Sequence, residues 1–157
     1  MKPKREFIST IYIIKEEKVL LIWNKKVGSF IPLGGHLEED ELPCEAAIRE
    51  AKEESGFEIE LINTEKKEIT SPTGAKRVFL PQNFIIGLDV IKPDHHHINM
   101  GYVGKIINGQ QLEKSDENTE LRWFSKEEIT NNSKIFDNVK LEAEKAIKLM
   151  EDYKNDC

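Results

Sequence analysis

The stretch GGHLEEDELPCEAAIREAKEESGF, residues 34–57, restricts the fold more than any other part of the chain. Its paired glycines allow a sharp turn or a close backbone approach. Helical spacing begins near Leu42, with Pro43 tolerated in a first turn, and runs to Ser55, where Gly56 is placed to end the helix. At roughly 100° per residue, Cys44, Ala47, Ile48, Ala51 and Ser55 form one narrow stripe, small and mostly apolar, suited to lying close against a sheet. Glu50, Glu53 and Glu54 project within an arc of about 100° on another face. Like charges at this spacing repel by about a few tenths of a kcal/mol per pair. Two readings follow from the residues alone. Either the face is solvated and partly paired by Arg49 and Lys52, or it is a carboxylate set for a hard cation such as Mg²⁺ or Mn²⁺.

The rest of the chain supplies a sheet for that helix. FISTIYII and KVLLIW, joined by the charged turn KEEK, predict an antiparallel hairpin. VGSFIPLGG predicts a short strand ending at the glycines, FEIELINTEKKEIT a strand with an exposed face, and SPTGAKR a loop. NFIIGLDVI, HINMGYVGKII and LRWFS predict three more strands, and KEEIT a helical turn. The last helix is expected in NVKLEAEKAIKLMEDY, with Leu141, Ala146, Ile147 and Met150 facing inward. Strands with one helix early and one late predict an α/β layered fold, a single domain over residues 1–157.

Charge narrows the partners. A net charge of -6 argues against a nucleic-acid polymer, which needs a basic face. A phosphate-rich small molecule remains suitable if a divalent cation stands between the two anions. Cys44 and Cys157 make no disulfide framework, so a reducing, cytoplasmic setting is expected. No apolar run approaches the length of a membrane span. The apolar patch near the N-terminus alternates with polar residues and lacks a cleavage site, which favours a strand over a leader peptide.

The segment 35–57 resembles the Nudix box: Gly, five residues, Glu, seven residues, Arg-Glu, an apolar residue, any residue, Glu-Glu, any residue, Gly and an apolar residue. Gly35, Glu41, Arg49, Glu50, Ala51, Glu53, Glu54, Gly56 and Phe57 occupy all nine positions. Two looser family habits are missed, with Asp40 where glycine is frequent and Leu33 where proline is. The leading hairpin and the late ELRWFSKEEI segment are similar to the family more weakly.

The resemblance implies an α/β/α sandwich with a mixed β-sheet and hydrolysis of a nucleoside diphosphate derivative by water attack at phosphorus. It implies Mg²⁺ or Mn²⁺ held by Glu50, Glu53, Glu54 and the Gly34 carbonyl, with one glutamate, Glu53 among them, as general base. Arg49 is expected to orient Glu41 or Glu53, and homodimers are common in the family. Glu117, six residues before Trp123, is a candidate for an extra ligand or base from outside the box, with Asp116 and Glu120 as competitors. The alternative is a domain that senses a nucleotide without cleaving it, although such proteins usually carry a damaged box. The isomerase branch of the fold needs a reactive cysteine in the cleft, and neither Cys44 nor Cys157 is placed for that.

Three consecutive histidines remain. On a strand His95 and His97 share a face and His96 points away. No cysteine or acid stands at zinc-ligand spacing from them, so His97 is expected to contact substrate rather than zinc. Lys76 and Arg77 could meet a distal phosphate, Arg77 being the candidate, or be solvated charges.

Overall fold

A computed structural model describes residues 2–62, 67–112 and 120–156. Strand β1 (Lys4–Lys15) is its spine. It pairs antiparallel with β2 (Lys18–Asn24), Ile13 opposite Leu20, as the hairpin pattern predicted. β3 (Ser29–Ile31) continues on β2, while β4 (Leu33–His36) lies on β1. After helix α1 (Pro43–Ser55) come β5 (Phe57–Leu61) and a separate two-stranded hairpin of β6 (Glu68–Thr70) and β7 (Lys76–Val78). β8 (Ile85–Lys92), β9 (His95–Gly109) and β10 (Leu121–Ser125) complete the strands. Helices α2 (Lys126–Asn131) and α3 (Asp137–Asn155) close the order.

The main path of the sheet runs β10-β2-β1-β9-β5, and β8 pairs with β9. Among the described residues, every pairing in this sheet is antiparallel except β1 with β9, which is parallel from Lys4 opposite His95 to Ile13 opposite Gly104. Helices cover both faces, so the middle of β1, Ile11 to Ile14, is buried without interruption, as expected for a strand covered on both sides. Odd positions Ile11 and Ile13 join Leu33, Cys44, Ala47 and Ala51 under α1, while Tyr12 and Ile14 join Phe124, Val139, Ala143 and Ile147 under α3. This is the mixed-sheet α/β/α sandwich. Among the described residues, no helix is long and apolar enough to cross a membrane.

Five local expectations change, the first being that the one strand expected over FEIELINTEKKEIT is divided between β5 of the main sheet and β6 of the separate hairpin. Ile48 is exposed and Ala46 buried, because the sheet covers the arc centred on Ala47 and Ala51 and leaves Ile48 at its margin. Leu141 is likewise exposed, and Val139 and Ala143 take the inward places on α3. The single strand expected before the glycines is two strands split at Pro32, which has no N–H for a ladder. The loop SPTGAKR is the turn of a hairpin that carries Lys76 and Arg77 on β7.

Candidate active site

The site grows from the junction of β4 and α1. Gly34 has φ +147, and a Cβ there would lie 2.2 Å from the Ser9 carbonyl oxygen, so only glycine lets β4 approach β1 so closely. Ser9 Oγ donates to the Pro43 carbonyl at 2.7 Å, which fixes the start of α1 to the same strand. Glu45 accepts from the Leu42 N–H at 3.0 Å, and Gly56 ends the helix at φ +81. The glutamates thus stand on a base tied down at both ends.

Arg49 sits among them, and all five of its N–H donors have acceptors. Nε and Nη2 grip Glu41 at 2.8 and 2.9 Å, Nη1 reaches Glu50 at 2.9 Å and Glu53 at 3.3 Å, and Nη2 also meets the His36 carbonyl at 3.1 Å. The fork geometry of a guanidinium is what allows one side chain to bridge so many oxygens. The Arg49 hydrogen bond holds the Glu41 carboxyl below its ordinary range, helped by the Glu38 N–H, and Glu41 in turn strengthens the hold on the Arg49 proton. Arg49 therefore touches both Glu41 and Glu53, the two partners expected for it.

Two further contacts set the carboxylates. Glu54 Oε2 accepts from the Gly34 N–H at 2.9 Å. Gly35 faces Glu50, and a Cβ on it would lie 2.3 Å from Glu50 Oε1. Arg49 occupies Oε1 of Glu50 and Oε2 of Glu53, which leaves the second oxygen of each for a cation. An all-oxygen donor set fits a hard ion that retains waters. The glutamates do not form a tight cage. Among the described residues, the set whose ligand atoms all lie within 4.8 Å of one another is Glu6, His95 and His97.

That second set is what the sequence reading missed. The parallel pairing places Glu6 opposite His97, and the signal that could have found it is the register of two strands about ninety residues apart. His95 Nε2 lies 2.6 Å from Glu6 Oε2 and 3.1 Å from His97 Nε2. His36, two residues past Gly34, brings Nε2 to 3.8 Å from the same Glu6 oxygen and packs edge-on against His97. Burial depresses the His97 pKa, and the neighbouring His36 and His95 add to the effect.

The structure therefore brings Gly34, Arg49, Glu50, Glu53 and Glu54 together and sets His97 in a group of its own. Arg77 is exposed on β7 and shares no hydrogen bond or ion pair with the glutamates among the described residues. Glu117 and Asp116 lie outside the described residues, and Glu120 is exposed ahead of β10. Cys44 is buried on the inner face of α1, packed in the core against the sheet.

The NUDIX domain family model matches residues 5–147. The chain belongs to the Nudix family. A NUDIX-family hydrolase from Clostridium perfringens shares 34% identity and a TM-score of 0.81, over 94% of this chain and 99% of that one. A MutT NUDIX hydrolase from Burkholderia pseudomallei, at 16% identity, has a TM-score of 0.63 over 90% of this chain and 97% of its own. The mutator MutT protein from Bacillus halodurans, at 19% identity, has a TM-score of 0.60 over 90% and 82%. A comparison with curated proteins returns no match. The protein is a Nudix pyrophosphohydrolase, and hydrolases of this family generally use divalent metals. Of its two departures, that at Asp40 falls where the backbone has φ +61, a left-handed conformation that glycine takes freely and aspartate tolerates.

Proposed function

We propose that the protein hydrolyses the diphosphate linkage of a small nucleoside diphosphate derivative, of the nucleoside triphosphate, nucleotide sugar or ADP-ribose type, with Mg²⁺ or Mn²⁺. The observation that supports this most is the intact acid set organised by all five donors of Arg49. Glu50, Glu53 and Glu54, with the Gly34 carbonyl, would hold the ion, which supplies charge neutralisation at the diphosphate and acidifies water. Glu53 is our choice of general base. It is the most exposed of the carboxylates on Arg49 within the box helix, 57% against 13% for Glu50, and Arg49 engages only one of its oxygens.

In the reaction, a water oxygen forms a bond to phosphorus as Glu53 takes its proton, and the bond from phosphorus to the bridging oxygen breaks. The products are a monophosphate and a second phosphate-bearing fragment. Arg49 keeps Glu53 aimed and stays protonated throughout. Most of the acceleration comes from positioning and fixed charge, as in phosphoryl transfer generally. Glu117 is assigned as an additional carboxylate and Arg77 as a contact for a distal phosphate, whereas the substrate contact expected of His97 is set aside because His97 pairs with Glu6 in the separate histidine group. The acidic net charge of -6 suits a small substrate met through a cation better than a nucleic-acid polymer.

The test is a product panel. Nucleoside triphosphates, oxidised nucleotides, ADP-ribose, dinucleoside polyphosphates and nucleotide sugars are offered with Mg²⁺ and with Mn²⁺, and products are read by mass spectrometry. At least one class should be split with incorporation of solvent oxygen at a single phosphorus, and Glu54→Gln should abolish the reaction. Turnover undiminished by Glu54→Gln would remove the proposed site.

A further inference from the structure

We propose that Glu6, His36, His95 and His97 form a second metal site, for a borderline divalent cation of which Zn²⁺ is the type. It differs from the glutamate site in donors and in place. Side chains alternate along a strand, so Glu6 shares the face of Tyr12 and Ile14, under α3, whereas Ser9 and Ile11 face α1. On β4 the same alternation sends Gly35 toward Glu50 and His36 to the opposite side. One short strand thus carries a backbone used by the glutamate site and a side chain used by the other.

The geometry is that of a ligand set. Ligands of a tetrahedral zinc ion at about 2.0–2.1 Å stand roughly 3.3 Å apart. Here His95 Nε2 lies 2.6 Å from Glu6 Oε2 and 3.1 Å from His97 Nε2, a set whose donors all lie within 4.8 Å of one another, and His36 Nε2 stands at its edge, 3.8 Å from the same Glu6 oxygen. Lys4 takes Glu6 Oε1 at 2.7 Å, so that carboxylate turns its other oxygen to the histidines as a one-atom ligand. Imidazole with one carboxylate selects zinc, cobalt, nickel or copper over magnesium. All four residues sit on paired strands rather than on loops, which holds the donors in place before any ion arrives. The histidines stay partly exposed, 35% for the His95 side chain and 58% for His36, so an ion can enter from solvent.

Hydrogen bonding alone accounts for this poorly. A single carboxylate oxygen faces His95 and His36, and His95 and His97 direct the same ring nitrogen at each other. A cation between Glu6, His95 and His97 gives each of their facing atoms a partner and leaves His36 within reach as a further donor.

The experiment uses the whole chain without a histidine tag, stripped with a chelator and dialysed against Zn²⁺ or Co²⁺ in excess Mg²⁺. Bound metal is counted per chain, and the visible spectrum of the cobalt form is recorded. One equivalent should be retained by the wild type and by the Glu50→Gln/Glu54→Gln variant, with the strong cobalt bands of nitrogen ligation at low coordination number. His95→Gln/His97→Gln should lose those bands and bind more than about 100-fold more weakly, beyond the loss of an outer partner. Retention of the tight equivalent by the histidine variant, its loss in the glutamate variant, or its absence from the wild type would each overturn the proposal. If the double histidine variant does not fold, His36→Gln and Glu6→Gln are read for the same bands under the same criteria. Binding is measured without substrate, so this result and the hydrolysis result fail or succeed separately.

Discussion

Gly34 and Gly35 are adjacent, yet their substitution should fail in different ways. At Gly34 the clash is with backbone, 2.2 Å from the Ser9 oxygen, and φ is +147. Gly34→Ala is expected to lower stability by at least about 1–3 kcal/mol, seen as a lower midpoint in denaturant. At Gly35 the clash is with the end of the Glu50 side chain. That end can move, so Gly35→Ala should fold nearly normally but lose activity by about 100-fold, the cost of an ångström of misplacement. Arg49→Lys keeps the charge and loses the fork, and is expected to reduce activity about 10–100-fold with a higher Mg²⁺ requirement in steady-state assays. Asp40→Gly, relieving φ +61, should raise stability by about 0.5–1 kcal/mol. The identities of these residues were legible because the box has fixed spacing. What each glycine touches was not, because Ser9 and Glu50 reach them through tertiary packing.

At the scale of elements, α3 meets the sheet through a polar contact that should make stability depend on pH. The Tyr12 hydroxyl donates to Glu142 Oε2 at 2.5 Å. Burial raises the Glu142 pKa above its ordinary 4.5, Asp89 adds to the rise, and the Tyr12 hydrogen bond only partly offsets it. A carboxyl whose folded-state pKa is raised contributes stability that is full below the unfolded value and is lost as pH rises through the folded one. Glu142→Gln keeps an acceptor for Tyr12 and removes the desolvated charge. Its melting temperature should exceed that of the wild type at pH 8 and match it near pH 4. An equal difference at both pH values would mean that the carboxylate charge is not the cause. The elements themselves were readable from alternation and caps, the hairpin and the helix 43–55 most directly. Ile48 and Leu141 were misplaced because periodicity gives a face without saying how wide an arc the sheet will cover.

Over the whole molecule, the glutamate site and the histidine cluster differ in how far apart in sequence their parts lie. Arg49 reaches Glu41 eight residues away, whereas Glu6 meets His95 on a strand that pairs with its own from the far end of the sequence. Closing a longer loop costs more entropy before any contact repays it. In pulsed hydrogen exchange during refolding, protection in α1 and in the β1–β2 hairpin should therefore precede protection in β9. Simultaneous protection would place the long-range pairing in the nucleus instead. The same separation explains why the box could be read from one dimension and Glu6 beside His95 could not.

The parallel pairing of β1 with β9 also has a meaning on the ribosome. Glu6 leaves the exit tunnel long before His95 and His97, which at about 5–20 residues per second follow roughly 5–20 s later. A nascent or truncated chain that stops short of β9 would carry its glutamate helix and lack half the histidine pocket.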